Sequence, residues 1–281
     1  MTLKLGSHEF ADDELVVMGV VNRTRDSFYD AGATYQLQDA INAVDSAVEN
    51  GAQIVDIGGV KAGIGPDVST AEEIRRITSL VPLVRERHPT LVISVDTWRG
   101  EVAEAVLGAG ADVINDAWGG YDPHVAEVAA QYGAGLVCTH AGGLTPRTEF
   151  SGIDYPDVMA DIRSTVDRLA ERAVRLGVPR DSILVDPGHD FGKTTRHSLE
   201  LTRRLRELTS GPWPVLVAVS NKDFIGETLD LPVTERLEGT IATLAVCAWS
   251  GARVFRVHNV SEARRALDVV SLIKGATQDR P

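Results

Sequence analysis

The chain has 281 residues, 43% of them hydrophobic, and a formal net charge of −12. That length and apolar content suit one large domain or two small ones. The negative sign argues against general binding to nucleic acid or to an anionic membrane surface, although local cations could still hold a small anion. The two cysteines, Cys138 and Cys247, lie far apart without metal-ligand spacing, which predicts reduced core thiols. No apolar run approaches the roughly 18 residues of a membrane span, and the first residues carry no signal-type apolar region, so a soluble cytoplasmic protein is expected.

In chain order, short β-branched runs alternate with segments of helical period. A strand over Leu15–Asn22 precedes a helix over Leu37–Asn50, and Gln53–Gly59 precedes Thr70–His88. Leu91–Thr97 leads to Gly100–Gly108, and Asp112–Asp116 to Pro123–Tyr132. Gly135–His140 is followed by Asp157–Leu176, and Ile183–Gly188 by Thr195–Leu208. Pro214–Ser220 pairs with Thr234–Trp249, and Arg253–His258 with Ser261–Lys274. Eight strand–helix pairs predict an α/β fold of the (β/α)8 TIM barrel kind, one domain with its core at about residues 14–275. The alternative, a doubly wound open sheet, would need a Gly-rich phosphate turn after the first strand; Arg23-Thr24-Arg25 stands there instead.

Gly51, Gly110, Gly177 and Gly251 each fall between a helix and the next strand, where glycine is the expected cap. They mark the bottom of the barrel. The polar and Gly-rich stretches at 23–36, 60–69, 141–155, 189–195 and 221–233 follow strands and so form the top face, where barrels carry their chemistry. Strand alternation puts Val92, Ser94 and Asp96 on the inward face and Ile93 and Val95 against helices. The same reading places Asp56, Asn115, Cys138, His140 and Asp186 inward, with Arg256 and His258 sharing one face of the last strand. Asn22 ends the first strand and Lys222 lies just past the seventh. Buried carboxylates need cations or donors. Asp96, Asn115 and Asp186 therefore make an acceptor-rich cup for a flat heterocycle that presents several N–H groups.

The motifs in this order resemble those of the dihydropteroate synthase family over almost the whole chain, from Met18 to Ser261. Met18-Gly19-Val20-Val21-Asn22 through Asp26-Ser27-Phe28 to Gly32 resembles the first-loop motif MG(I/V)(L/V)NVTPDSFSDGG, and Asp56-Ile57-Gly58-Gly59 resembles DIGG. Ser94-Val95-Asp96-Thr97 and Ile114-Asn115-Asp116 are similar to SVDT and IND. Asp186-Pro187-Gly188 with Phe191-Gly192-Lys193 resembles DPGxGFGK, and Ser220-Asn221-Lys222 with Phe224-Ile225-Gly226 resembles SRKSFIG. Arg236-Leu237-Glu238-Gly239-Thr240 and Arg256-Val257-His258 are similar to RLEGT and RVHD.

The resemblance implies condensation of 6-hydroxymethyl-7,8-dihydropterin diphosphate with p-aminobenzoate, with loss of diphosphate assisted by Mg2+. It implies that Asp96, Asn115, Asp186, Phe191 and Lys222 hold the pterin, with Arg256 stacking on it. Lys222, Arg256 and Asp96 would carry the catalysis. The diphosphate would lie near Asn22, Arg256 and His258, with Mg2+ at Asn22. A homodimer through the last helices is also implied, with Trp249 a candidate interface residue; packing on the barrel is its other reading.

Departures from the family concentrate in the second-substrate half. The family's Glu-Ser-Thr-Arg-Pro-Gly loop is replaced by Val60-Lys61-Ala62-Gly63-Ile64-Gly65-Pro66, so Gly63 stands where an arginine is expected. Arg23 and Arg25 are either solvated loop cations or a replacement for that lost charge. Asp190 replaces a glycine, His189 beside it is equally surface or functional, and Asn221 replaces an arginine. Asp223 replaces a serine at a helix start where the resemblance places the aminobenzoate carboxylate; as an N-cap it would take the same donors and repel a second carboxylate. Two readings follow: an active synthase with a remodelled second site, or a pterin-binding paralogue that lacks this reaction or uses another second substrate. Pterin-binding barrels that transfer methyl groups to corrinoid are a third.

Overall fold

The computed structural model describes residues 2–24, 32–148 and 153–275. Strands β1 (Leu3–Leu5) and β2 (His8–Phe10) form an antiparallel hairpin. Eight further strands follow: β3 (Val16–Asn22), β4 (Ile54–Gly58), β5 (Val92–Asp96), β6 (Val113–Asp116), β7 (Gly135–Thr139), β8 (Ile183–Asp186), β9 (Leu216–Val217) and β10 (Val254–Val257). They pair in parallel in the order β8-β7-β6-β5-β4-β3-β10-β9, and a parallel bridge between Val185 and Val215 joins the two ends. The sheet is thus the expected (β/α)8 barrel, each strand apolar on both faces because one side meets the interior and the other a helix.

The two faces form separate layers. Val16, Met18, Ile54, Val92, Val113, Val137, Leu184, Leu216 and Val254 fill the interior together with Leu3, Leu5 and Phe10 of the hairpin. The helix-side layer takes the alternate residues, among them Val17, Val55, Ile93, Ile114, Leu136, Val185 and Phe255. No periodic pattern in the sequence marks an element before Leu15. Yet Leu3, Leu5 and Phe10 are fully buried, so the hairpin closes the bottom of the barrel. Three-residue strands are too short for a period-two pattern to reveal them.

Helix ends explain most other differences. Gly51, Gly110, Gly177 and Gly251 all have φ between +95° and +112°, the left-handed region that glycine enters without penalty. The expected helix 70–88 is two helices, Thr70–Thr78 and Val81–Arg87. Pro82 lacks the N–H that would bond Thr78, and its ring crowds that carbonyl. A short helix, Asp223–Leu229, lies inside the stretch read as loop. Both cysteines are free thiols in the core. No helix among the described residues is long and apolar enough to cross a membrane.

Candidate functional site

The strand ends open on a cavity of about 750 Å³ at the top of the barrel. Asn22, Asp96, Asn115 and Asp186 line it, as do Phe191, Lys222, Arg256 and His258; these eight residues reach one space. Of the first-loop motif, Arg25 to Ala31, including Ser27 and Phe28, lies outside the described residues.

The floor is braced by Asp56, which is fully buried. Its carboxylate accepts from Ser94 Oγ at 2.6 Å, Asn115 Nδ2 at 3.1 Å and Arg256 Nε at 2.6 Å. The second Arg256 nitrogen donates to Asp96 Oδ2 at 3.1 Å. Asp56 is consumed by these bonds, which fix the side chains of Ser94, Asn115 and Arg256. Because Asn115 spends its N–H2 on Asp56, its carbonyl oxygen is left as an acceptor. Asp186 accepts the Gly188 N–H at 2.7 Å through Oδ1 and makes no other hydrogen bond among the described residues. Burial pushes the Asp96 carboxyl up to about 7 despite the pull of Arg256, and raises that of Asp186. Two partly satisfied carboxylates and an amide oxygen make the acceptor cup that the alternation of the strands foretold.

The turn after β8 is held by Lys193, which in the sequence stands out only as the end of the Phe191-Gly192-Lys193 motif. Lys193 Nζ donates to the carbonyls of His140 at 3.1 Å, Gly188 at 2.8 Å and Phe191 at 2.9 Å, and lies 2.8 Å from His140 Nδ1. Burial lowers its pKa to about 7. Gly188 is obligatory in this packing: its φ is +67°, and a Cβ there would fall 2.1 Å from the His140 carbonyl oxygen. Lys222 Nζ donates to the His189 carbonyl at 3.0 Å and sits 4.6 Å above the Phe191 ring. His258 Nδ1 lies 3.1 Å from Ser220 Oγ, and burial beside Arg256 lowers its pKa to about 3, so it is a neutral imidazole.

Strand β7 corrects the expected set. Val137 belongs to the interior layer, whereas Leu136 and Cys138 pack against helices, so Thr139 and not Cys138 turns into the cavity. His140 sits behind the mouth, with Nε2 2.7 Å from Asp161 of the helix Val158–Leu176. The strand is apolar on both faces, and hydropathy alone does not fix its register. Arg23 also departs from both readings given to it. It is buried, and its guanidinium donates to the Tyr35 and Arg76 carbonyls and to Ser79 Oγ.

The rim differs most from expectation. Asp223 is the first residue of its helix, but its carboxylate is exposed and pairs with Arg236 at 2.8 Å. The N–H groups of Asp223 and Phe224 are instead taken by Asp190 Oδ2, at 2.8 and 3.3 Å. Asp190 Oδ1 accepts from Ser198 Oγ at 3.0 Å, and its backbone is left-handed with φ 66°, a conformation that costs a non-glycine residue about 1 kcal/mol or more. Asn221 turns away from the cavity, donating to Asn259 Oδ1 at 3.2 Å. His189 is fully buried against Phe224, with Nε2 3.0 Å from Thr202 Oγ1, and is not a surface residue.

The profile of the family described as "Pterin binding enzyme" matches residues 18–258. The chain is 51% identical over 269 residues to a Mycobacterium tuberculosis protein named "Inactive dihydropteroate synthase 2", covering 94% of this chain and 85% of that one. It is 36% identical over 275 residues to the dihydropteroate synthase of Clostridium beijerinckii, covering 96% and 99% of the two chains. The Yersinia pestis dihydropteroate synthase, solved with a sulfonamide drug complex, superposes with a TM-score of 0.92 at 32% identity, covering 99% of this chain and all of that one. The acceptor cup, the barrel that carries it and these likenesses agree: the chain belongs to the pterin binding enzyme family, as a dihydropteroate synthase-like member.

Proposed function

We propose that the chain binds a dihydropterin, or its diphosphate, in the acceptor cup and does not complete the condensation with p-aminobenzoate. The observation that carries this reading is Asp190. The helix donors that would receive the carboxylate of a second substrate already hold a carboxylate of the protein. Glu227 lines the same side of the cavity, while the charge of Asp223 is offset by Arg236. Two like charges about 4 Å apart repel by roughly 1 kcal/mol in water and several at a protein surface. The name carried by the half-identical mycobacterial relative supports the same reading.

On the pterin side, Asp96, Asn115 and Asp186 would accept the ring N–H groups. Phe191 and Arg256 would flank the ring plane, and Lys222 would sit at its edge. Asn22 offers an amide oxygen at the mouth, which fits Mg2+, an ion that keeps several waters and needs few protein ligands when a diphosphate supplies the rest. Bound there, the ion would screen the diphosphate charge; His258 and Arg256 would face the same group. An exposed apolar face formed by Val246, Trp249, Val269, Leu272 and Ile273 on the last two long helices supports a homodimer.

The test is calorimetric titration with 6-hydroxymethyl-7,8-dihydropterin diphosphate and Mg2+, followed by p-aminobenzoate, with chromatography for product. Saturable pterin heat, no aminobenzoate heat and no dihydropteroate are expected; turnover at high aminobenzoate overturns the reading. A second reading, in which another nucleophile serves, is favoured by the apolar Val60, Ala62 and Ile64 along the cavity wall. Beside an acidic rim they suit an uncharged or cationic amine, and product from such an amine but not from aminobenzoate would select it.

A further inference from the structure

Thr139 is a residue that no motif pointed to. It ends β7, lies in register beside Asp186 of β8 and lines the cavity. The residue is 2% exposed, yet Oγ1 has no hydrogen-bond partner. A buried hydroxyl left unpaired is costly, and such groups in folded proteins call for a partner. The nearby polar groups of the cup, Asp186, Asn115 through its carbonyl and Asp96, are acceptors, and the hydroxyl bonds none of them.

We propose that Thr139 is a ligand-binding and specificity-determining residue whose hydroxyl donates to a ring-nitrogen or carbonyl acceptor of the bound heterocycle. A pterin edge alternates N–H donors with such acceptors. Asp96, Asn115 and Asp186 match the donor half of that pattern, and the Thr139 hydroxyl, beside Asp186, adds a neutral donor for the other half alongside the Lys222 ammonium. Thr139 thus reads the ring, while Asp96 and Asp186 hold its N–H groups. This assignment rests on the pterin reading given above.

The test compares Thr139→Val, which keeps the shape, with Thr139→Ser, which keeps the hydroxyl. Affinity for 6-hydroxymethyl-7,8-dihydropterin, measured by calorimetry, should fall about three- to tenfold in the valine variant, the value of one neutral hydrogen bond. It should stay within about twofold in the serine variant. Without ligand, the valine variant should melt at the same temperature as the parent or higher, because an unsatisfied hydroxyl has been removed from the interior. Equal pterin affinity in parent and valine variant overturns the assignment alone. A lowered melting temperature of the ligand-free valine variant also overturns it, since the hydroxyl would then serve the fold. A parent chain that binds no dihydropterin overturns both this assignment and the pterin reading.

Discussion

The floor and the rim of the cavity are both built from carboxylates, and they spend them differently. In the floor, Asp56 is saturated by Ser94, Asn115 and Arg256, which leaves Asp96 and Asp186 partly unsatisfied and available. In the rim, Asp190 is saturated by Ser198 and two helix N–H groups, which leaves those donors unavailable. The same chemistry therefore opens one half of the site and closes the other. What matters is which partner remains unpaired once the protein has satisfied itself, not how many charges face the cavity.

The sharpest way to break the floor is to remove its brace. Asp56→Ala leaves Arg256 buried with only the weaker Asp96 contact and frees Asn115 to rotate. Removing one partner of a buried pair costs about 3–5 kcal/mol, so urea unfolding should show a loss in that range together with abolished pterin binding. A loss below about 1 kcal/mol would mean that Arg256 finds another anion and that the floor is not braced through Asp56.

The rim should respond in the opposite sense. Asp190→Gly relieves a left-handed backbone and clears the Asp223 and Phe224 N–H groups. Detectable p-aminobenzoate binding to the pterin-loaded protein is expected, with a gain of roughly ten- to a hundredfold over the parent. If the variant still shows no aminobenzoate heat, the altered loop at residues 60–66 and not the acid decides the second site.

A pH titration separates the halves next. Burial holds Asp96 at about 7, so it meets the ring N–H groups as a carboxylate, the stronger acceptor, only above that pH. Pterin affinity should rise about tenfold from pH 6 to pH 8, as the ionised fraction does, and Asp96→Asn should flatten the profile. The sign for stability is the reverse. A carboxyl whose folded pKa is raised stabilises the fold below its unfolded value and loses that contribution as pH climbs through about 7; Asp116, raised to about 7 by burial, acts the same way. Ligand-free protein should thus lose stability over the interval in which it gains affinity.

The barrel and its floor were legible in the sequence because both follow from short-range patterns. The strand Val92–Asp96 sets polar residues at even spacing among apolar ones, and Asn115 and Asp186 each follow directly on an apolar run at a strand's end. Strand β7 carried no such mark: Leu136, Val137 and Cys138 are all apolar, so a one-residue slip went unopposed and hid Thr139. The hairpin at the bottom is too short for any period. The role of Asp190 depends on a contact 33 residues along the chain, with Asp223. Nothing local distinguishes an aspartate that caps a distant helix from one that is simply solvated.

Asp223 supplies the smallest expected effect and the finest test of this contrast. From sequence it looked like the residue that blocks the helix start; in the structure it points to Arg236 and solvent, 78% exposed. An exposed charge paired with arginine contributes little, because water screens it and the pair already cancels much of its field. In the Asp190→Gly background, adding Asp223→Ser should therefore change p-aminobenzoate affinity by no more than about threefold. The parent chain with Asp223→Ser alone should remain unable to bind it. Should the serine substitution by itself restore binding while Asp190→Gly does not, the closing charge sits on the helix and not on the neighbouring turn, and the assignment of the two aspartates must be exchanged.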